Sequence, residues 1–185
     1  MAEYYLISQL PSLDGINENT PLPITSERFE ELCERFLGKK SYAESKSLTL
    51  SPSRNPEKTS FALIENWNEG ERNLRIALAK LRADKLNKHF EAETNSFSPM
   101  LLQTVRTAVE IENPMEAEKF LNKYRLDFLE SLRPMDSFSE EYVFYYGLKL
   151  KLLERIRKFD SESGETAYRN IYNSIMNGDR SEVIQ

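Results

Sequence analysis

Cys33 is the only cysteine in the chain, so no disulfide can close within it. Its apolar neighbours suit a buried core thiol, the usual setting for a free cysteine. The chain also has a single histidine, His89, in KLNKHFE near a helix end. A zinc site built on histidine or thiolate needs more ligands than these two residues supply. Only six glycines occur, and neither GxGxxG nor GxxxxGK[ST] is among their settings, so no phosphate-cradling loop is expected. A G-x-S-x-G elbow is likewise missing. The longest purely apolar run, YVFYYGL from Tyr142, falls far short of the ~20 residues that cross a bilayer. The start, MAEYYLISQLPSLDG, has no basic stretch and no long apolar run, so it does not read as a secretory signal. With no Asn-x-Ser/Thr acceptor either, the expected setting is reducing and cytoplasmic.

What is there points to helices. The chain of 185 residues suits one domain, with 1–92 and 98–185 as candidate lobes on either side of the polar stretch EAETNSFS. Aromatic residues at 11% are too frequent for a disordered chain. A net charge of −5 argues against wholesale coating of nucleic acid, and no nucleic-acid partner is expected. Leu, Glu, Lys, Arg and Ala are abundant and strand-like alternation is scarce, so the expected fold is an all-α bundle of about six to eight helices.

The periodicity places them. YYLISQL near the N-terminus reads as a short strand or one to two helical turns, with Tyr4, Ile7 and Leu10 on one face if helical. Ser26 looks like an N-cap for a helix carrying Phe29, Leu32, Cys33, Phe36 and Leu37, with Gly38 placed to stop it. KKSYAESKSLTLSPSRNPEK reads as loop. A long helical region from about 58 to 90 follows, and Gly70 inside it predicts a break or kink. Ser98-Pro99 and Asn113-Pro114 each give a cap followed by proline at the first helical position. Pro134 ends the second of these helices near Arg133.

Ser139 with Glu140 and Glu141 starts the most apolar helix. Its stripe holds Tyr142, Tyr145, Tyr146, Leu148, Leu152, Leu153, Ile156 and Phe159, with Lys151, Glu154 and Lys158 on the wet side. A helix of this character belongs at the centre, touched from several sides. A last helix, from about 165 to 177, carries Tyr168, Ile171, Tyr172, Ile175 and Met176 on one side, is stopped by Gly178, and leaves DRSEVIQ as a frayed tail.

No catalytic constellation emerges. Glu112, Glu116 and Glu118, like Glu140 and Glu141, sit at helix starts where they complement the dipole, and that reading suffices without acid–base chemistry. Catalytic residues, cofactor and metal are therefore all expected to be none. Two features invite a partner instead. The stretch 72–88 is strongly basic, with Arg75, Arg82 and Lys85 near one helix face; a solvated flank is the ordinary reading, and docking on an acidic protein surface the sharper one. Trp67 reads first as core and second as a surface anchor, and Tyr4 and Tyr5 join it as candidate partner-binding residues.

Three blocks carry a family likeness. EYYLISQLPSL, ENPMEAEKFLNKYRLDFLESL and YYGLKLKLLERIRKFD together resemble an uncharacterised bacterial family, a domain of unknown function, encoded in operons for V-type ATPases. NLRIALAKLRADKL and YYGLKLKLLERIR are also similar to the helical pattern of the C/d component of those ATPases, the all-helical socket that seats the central stalk on the membrane rotor. The resemblance implies part of that socket architecture in a much shorter chain. It implies a non-catalytic subunit, assembly factor or coupling factor in ion transport, with stalk or rotor subunits as partners. It also implies a peripheral position on the inner face of the membrane. The other reading of the residues is a free-standing helical adaptor for another cytoplasmic protein.

Overall fold

The structure, a computed structural model, describes residues 2–16, 20–53, 58–90, 97–158 and 161–178. Those residues form eight α-helices and no strand: α1 (Ala2–Gln9), α2 (Ser26–Phe36), α3 (Lys39–Ser47), α4 (Ala62–Lys85), α5 (Pro99–Glu110), α6 (Pro114–Ser131), α7 (Glu140–Arg157) and α8 (Ser161–Gly178). The all-α expectation holds.

Local chemistry sets several helix starts. Ser98, Asn113 and Ser139 cap α5, α6 and α7, their side chains accepting from the amides of Leu101, Met115 and Tyr142. Pro99 and Pro114 occupy first positions where a missing N–H costs nothing. The α2 cap is Thr25 rather than Ser26: the Thr25 hydroxyl accepts from the Arg28 amide. Ser26 is instead held by the Glu154 carboxylate of α7, which accepts from its amide at 3.0 Å and its hydroxyl at 2.7 Å. α4 ends on Asn87 at φ 52°, with the Lys88 amide reaching Ala83 O and the Asn87 amide reaching Asp84 O. That is a Schellman motif with asparagine in the left-handed position.

Two expectations are corrected here. The stretch read as loop contains α3. α2 stops just before Gly38, as expected, and Gly38 itself, at φ −64°, is the residue that opens α3. Gly70 does not interrupt α4, which is continuous. Its reason is proximity: a Cβ there would run into the Phe128 ring of α6.

α7 is the central helix, as its composition predicts, and packs against α2, α3, α4 and α6. It serves two clusters at once. Val143, Tyr146, Leu150 and Leu153 join Leu6, Leu13, Phe29 and Leu32 on one side. Phe144, Tyr145, Leu148 and Leu152 join Leu63, Ile64, Trp67 and Leu129 on the other. Val143, Phe144 and Leu150, outside the expected stripe, are fully buried because neighbours cover both flanks. The expected wet side is partly engaged too: Lys151 Nζ donates to Leu48 O at 2.5 Å, and Glu154 holds Ser26. Phe159 lies outside the described residues. Gly147 lets the α2 side come close, since a Cβ there would meet Phe29 at 2.9 Å. A third cluster, Leu74, Ala77, Leu78, Leu101, Val105 and Leu121, joins α4, α5 and α6. Each buried Leu or Phe adds roughly 1.5–3 kcal/mol, so these clusters dominate the fold's stability.

α8 differs from the rest. Its Tyr168, Ile171, Tyr172 and Ile175 share one side and are exposed, with Tyr168 and Tyr172 stacked at 6.2 Å. The Met176 side chain and the DRSEVIQ tail beyond Gly178 lie outside the described residues.

Candidate functional site

The partner-binding residues expected from sequence do not form one surface. Trp67 is 1% exposed, and its indole N–H donates to Thr49 O at 3.1 Å. It is a core residue, and the surface-anchor expectation is corrected: the helix face that carries it also carries Ile64 and Leu74 and is covered by neighbours. Arg75 is turned inward as a bracket. Its guanidinium donates to Leu50 O at 2.7 Å and to Ser51 Oγ at 2.8 Å, holding the segment after α3 against α4. Lys85 Nζ donates to Val109 O at 2.5 Å, tying the end of α4 to the end of α5. Arg82 is exposed and shares with Lys85 a hollow of about 680 Å³. Glu112, Glu118 and Arg155 also line it, so its charge is mixed rather than basic.

Of these candidates, Tyr4 and Tyr5 do belong to an exposed aromatic surface. They are 57% and 60% exposed. Tyr4 stacks on Phe138 with centroids 4.9 Å apart, and Tyr5 meets Tyr4 edge-on at 6.1 Å. Phe138 is 52% exposed and Met135, in the same α6–α7 connection, is fully exposed. Sequence reasoning misses Phe138 and Met135, since both lie in MDSFSE, outside any helical stripe. An aromatic residue in a turn between two strongly capped helices is the available signal.

α1 presents these rings because its other side is anchored. Leu6 is fully buried. Below it the chain is held at residues 11–14: the Tyr146 hydroxyl donates to Pro11 O at 2.8 Å, and Lys149 Nζ donates to Asp14 Oδ1 at 2.7 Å. The same ammonium donates to Glu130 Oε1 at 2.6 Å, and the Tyr145 hydroxyl donates to that oxygen at 2.6 Å. The Lys149 hydrogen bond holds the Asp14 carboxyl below its usual range. Burial pushes Glu130 up, but hydrogen bonds from Lys149 and Tyr145 outweigh it and leave that carboxyl low. Burial and the Glu130 hydrogen bond push the Tyr145 phenol up to about 12. Burial works against the Lys149 ammonium, yet its hydrogen bonds to Asp14 and Glu130 prevail and raise it.

The pH dependence follows from those signs. Depressed carboxyls contribute stability that is complete above the ordinary carboxylate range and is lost as pH falls through their lowered values. The raised Lys149 contributes below its ordinary value near 10.4 and loses its contribution as pH rises through the folded one. The clamp is therefore intact from weakly acidic to weakly alkaline pH. Asp14→Asn with Glu130→Gln should cost on the order of 1–3 kcal/mol at pH 7: both carboxylates are substantially exposed and screened, but the buried Lys149 ammonium is left with neutral acceptors only. Urea midpoints measured across a pH series should fall less for that variant than for the parent below about pH 4.

A second polar centre lies deeper, where α4, α6 and α7 meet. Glu71 and Arg125, 2% and 5% exposed, pair at 2.7 Å. Arg125 also donates to Asn122 Oδ1 at 3.0 Å and to Glu118 Oε1 at 3.2 Å, and Arg155 joins Glu118 from α7. Cys33, buried, has its thiol pushed up to about 11 by desolvation and stays protonated at neutral pH. Among the described residues, no group of three or more His, Cys, Asp or Glu is placed to hold a metal ion. Nor is any helix among them long and apolar enough to cross a membrane.

Residues 95–179 match DUF2764, described as a protein of unknown function. The matched segment takes in α5 through α8 and contains two of the three blocks on which the resemblance rests, those of α6 and α7. It supports the resemblance to a domain-of-unknown-function family. Neither the curated proteins nor the solved structures return a match to the chain.

Proposed function

We propose that this chain is a non-catalytic subunit, or an assembly or coupling factor, of a bacterial V-type ATPase, working through its outer surface beside the central stalk and rotor. Its support is the resemblance of three sequence blocks to a family encoded with those ATPases. The match over residues 95–179 lends weight to the family likeness alone. The observation that carries the docking role is the exposed aromatic corner of Tyr4, Tyr5, Met135 and Phe138. Exposed aromatic clusters of this kind commonly mark interaction sites. A socket-like link between stalk and rotor needs rigidity and a shaped surface, and α7, covered on several sides, supplies the rigidity.

Affinity purification of the tagged chain from native membranes tests the proposal. Stalk or rotor subunits of a V-type ATPase should co-elute. An ATPase that assembles and pumps normally in cells lacking this chain would remove it. The same exposed corner favours a second reading, a free-standing adaptor, which predicts co-eluting proteins unrelated to the ATPase.

A further inference from the structure

We infer that the Tyr4–Tyr5–Phe138 corner is a docking surface for a basic, amphipathic protein segment, one that sets Lys or Arg side chains beside apolar ones. Two independent observations meet there. The first is the apolar surface itself: three exposed rings, Tyr4 touching both of the others, continued by the exposed Met135. The second is its charge. Asp136 lies between Met135 and Phe138, and Glu140 and Glu141 open α7 just beyond, Glu140 with one oxygen accepting from the Ser41 hydroxyl at 2.6 Å. Beside these three carboxylates, Arg133 is already engaged. Its guanidinium is 3.9 Å from both Asp14 and Glu130 and lies over the rings of Tyr142 and Tyr145.

Carboxylates around open aromatic faces suit cations twice over. Lysine and arginine gain from ring faces, and charge-assisted hydrogen bonds to the rim add direction. The acidic rim repels an anionic lipid surface, which leaves a basic protein segment as the occupant. This reverses the partner chemistry expected from the basic stretch 72–88, whose Arg75 and Lys85 are spent on internal carbonyls. It rests on the reading of the chain as a docking protein only in supposing that the corner is used.

The test uses the full chain and a labelled amphipathic helical peptide of about 18 residues built from Leu and Lys, with a Leu and Glu peptide as counterpart. Fluorescence anisotropy should show binding of the basic peptide alone, weakening with added salt. Tyr4→Ala and Phe138→Ala should each weaken it about tenfold, the loss expected where truncation removes one of the few interface contacts that carry binding energy. Glu141→Lys should weaken it further at low salt. Asp136→Asn removes a charge yet keeps the acceptor that Asp136 offers the Phe138 amide, so a loss of affinity there cannot come from a broken turn. Circular dichroism on each variant confirms the fold. Equal binding of both peptides, indifference to the ring substitutions, or retention on phosphatidylglycerol vesicles would overturn the inference. Failure to co-purify with an ATPase would remove the reading above and leave this one standing; loss of peptide selectivity would do the reverse.

Discussion

Arg125→Met should destabilise the protein by about 3–5 kcal/mol, the cost of leaving a buried charge without its partner. Glu71, on α4, is 2% exposed and receives its short hydrogen bond, 2.7 Å, from Arg125 Nε. The other carboxylate oxygen has no hydrogen bond; Arg75 Nε approaches it only to 3.5 Å. With the Arg125 guanidinium gone, Arg75 is the cation left beside it, and it is committed to Leu50 O and Ser51 Oγ. Glu71 would then have to take up a proton or draw in water, and either route loosens the junction of α4 with α6. Asn122, also buried, would lose the donor to its carbonyl oxygen. The double variant Glu71→Met with Arg125→Met should be more stable than Arg125→Met alone, because apolar replacement of both charges removes the orphan. Urea-unfolding midpoints of the parent and the single and double variants measure this. A single variant within about 1 kcal/mol of the parent would mean that water already reaches Glu71.

None of that junction is legible in the sequence. Glu71 and Arg125 are 54 positions apart, and each looks like one more charge on a helix rich in charges. Lys149 and Asp14, 135 positions apart, pose the same difficulty. Sequence patterns report local chemistry well, which is why the starts of α5, α6 and α7 are readable from Ser98, Asn113 and Ser139. α3 escapes such reading because KKSYAESKS has almost no apolar periodicity; its buried residues are Ser41 and Ser45, small enough to sit against neighbours. Gly70 misleads for a related reason. Its effect on helix propensity is local and points to a break, whereas its use, the approach of Phe128, depends on a helix about 60 residues on. In the candidate site, Tyr4 and Tyr5 stand out by composition, while Phe138 becomes part of the corner only once α1 is folded beside the α6–α7 turn.

Trp67 shows how a residue chosen for one role can be tested for the other. Trp67→Ala should cost about 3–5 kcal/mol, the range for removing a large buried aromatic side chain. The loss has three sources. The indole fills the cluster between α4 and α7 beside Leu63, Ile64, Phe144 and Leu148. It stacks on Phe128 at 6.2 Å, so a cavity there also unseats the ring against which Gly70 is fitted. Its N–H is the hydrogen-bond donor to Thr49 O, in the connection that Arg75 also holds. Trp67→Phe keeps most of the volume and removes that donor, so it should cost less, about 1–3 kcal/mol. As the only tryptophan, Trp67 also reports on itself: emission should be blue-shifted and resist acrylamide in the folded protein. A surface anchor behaves in the opposite way. Its truncation would leave the urea midpoint in place and weaken a partner instead, and its emission would be quenched freely until the partner bound. Tyr4→Ala supplies the contrast within the same molecule, because Tyr4 is half-exposed where Trp67 is not. The unfolding midpoint should move with Trp67 and hold with Tyr4, while affinity for a basic segment should follow Tyr4. That separation places the structural load on the α4–α7 cluster and the recognition on the aromatic corner.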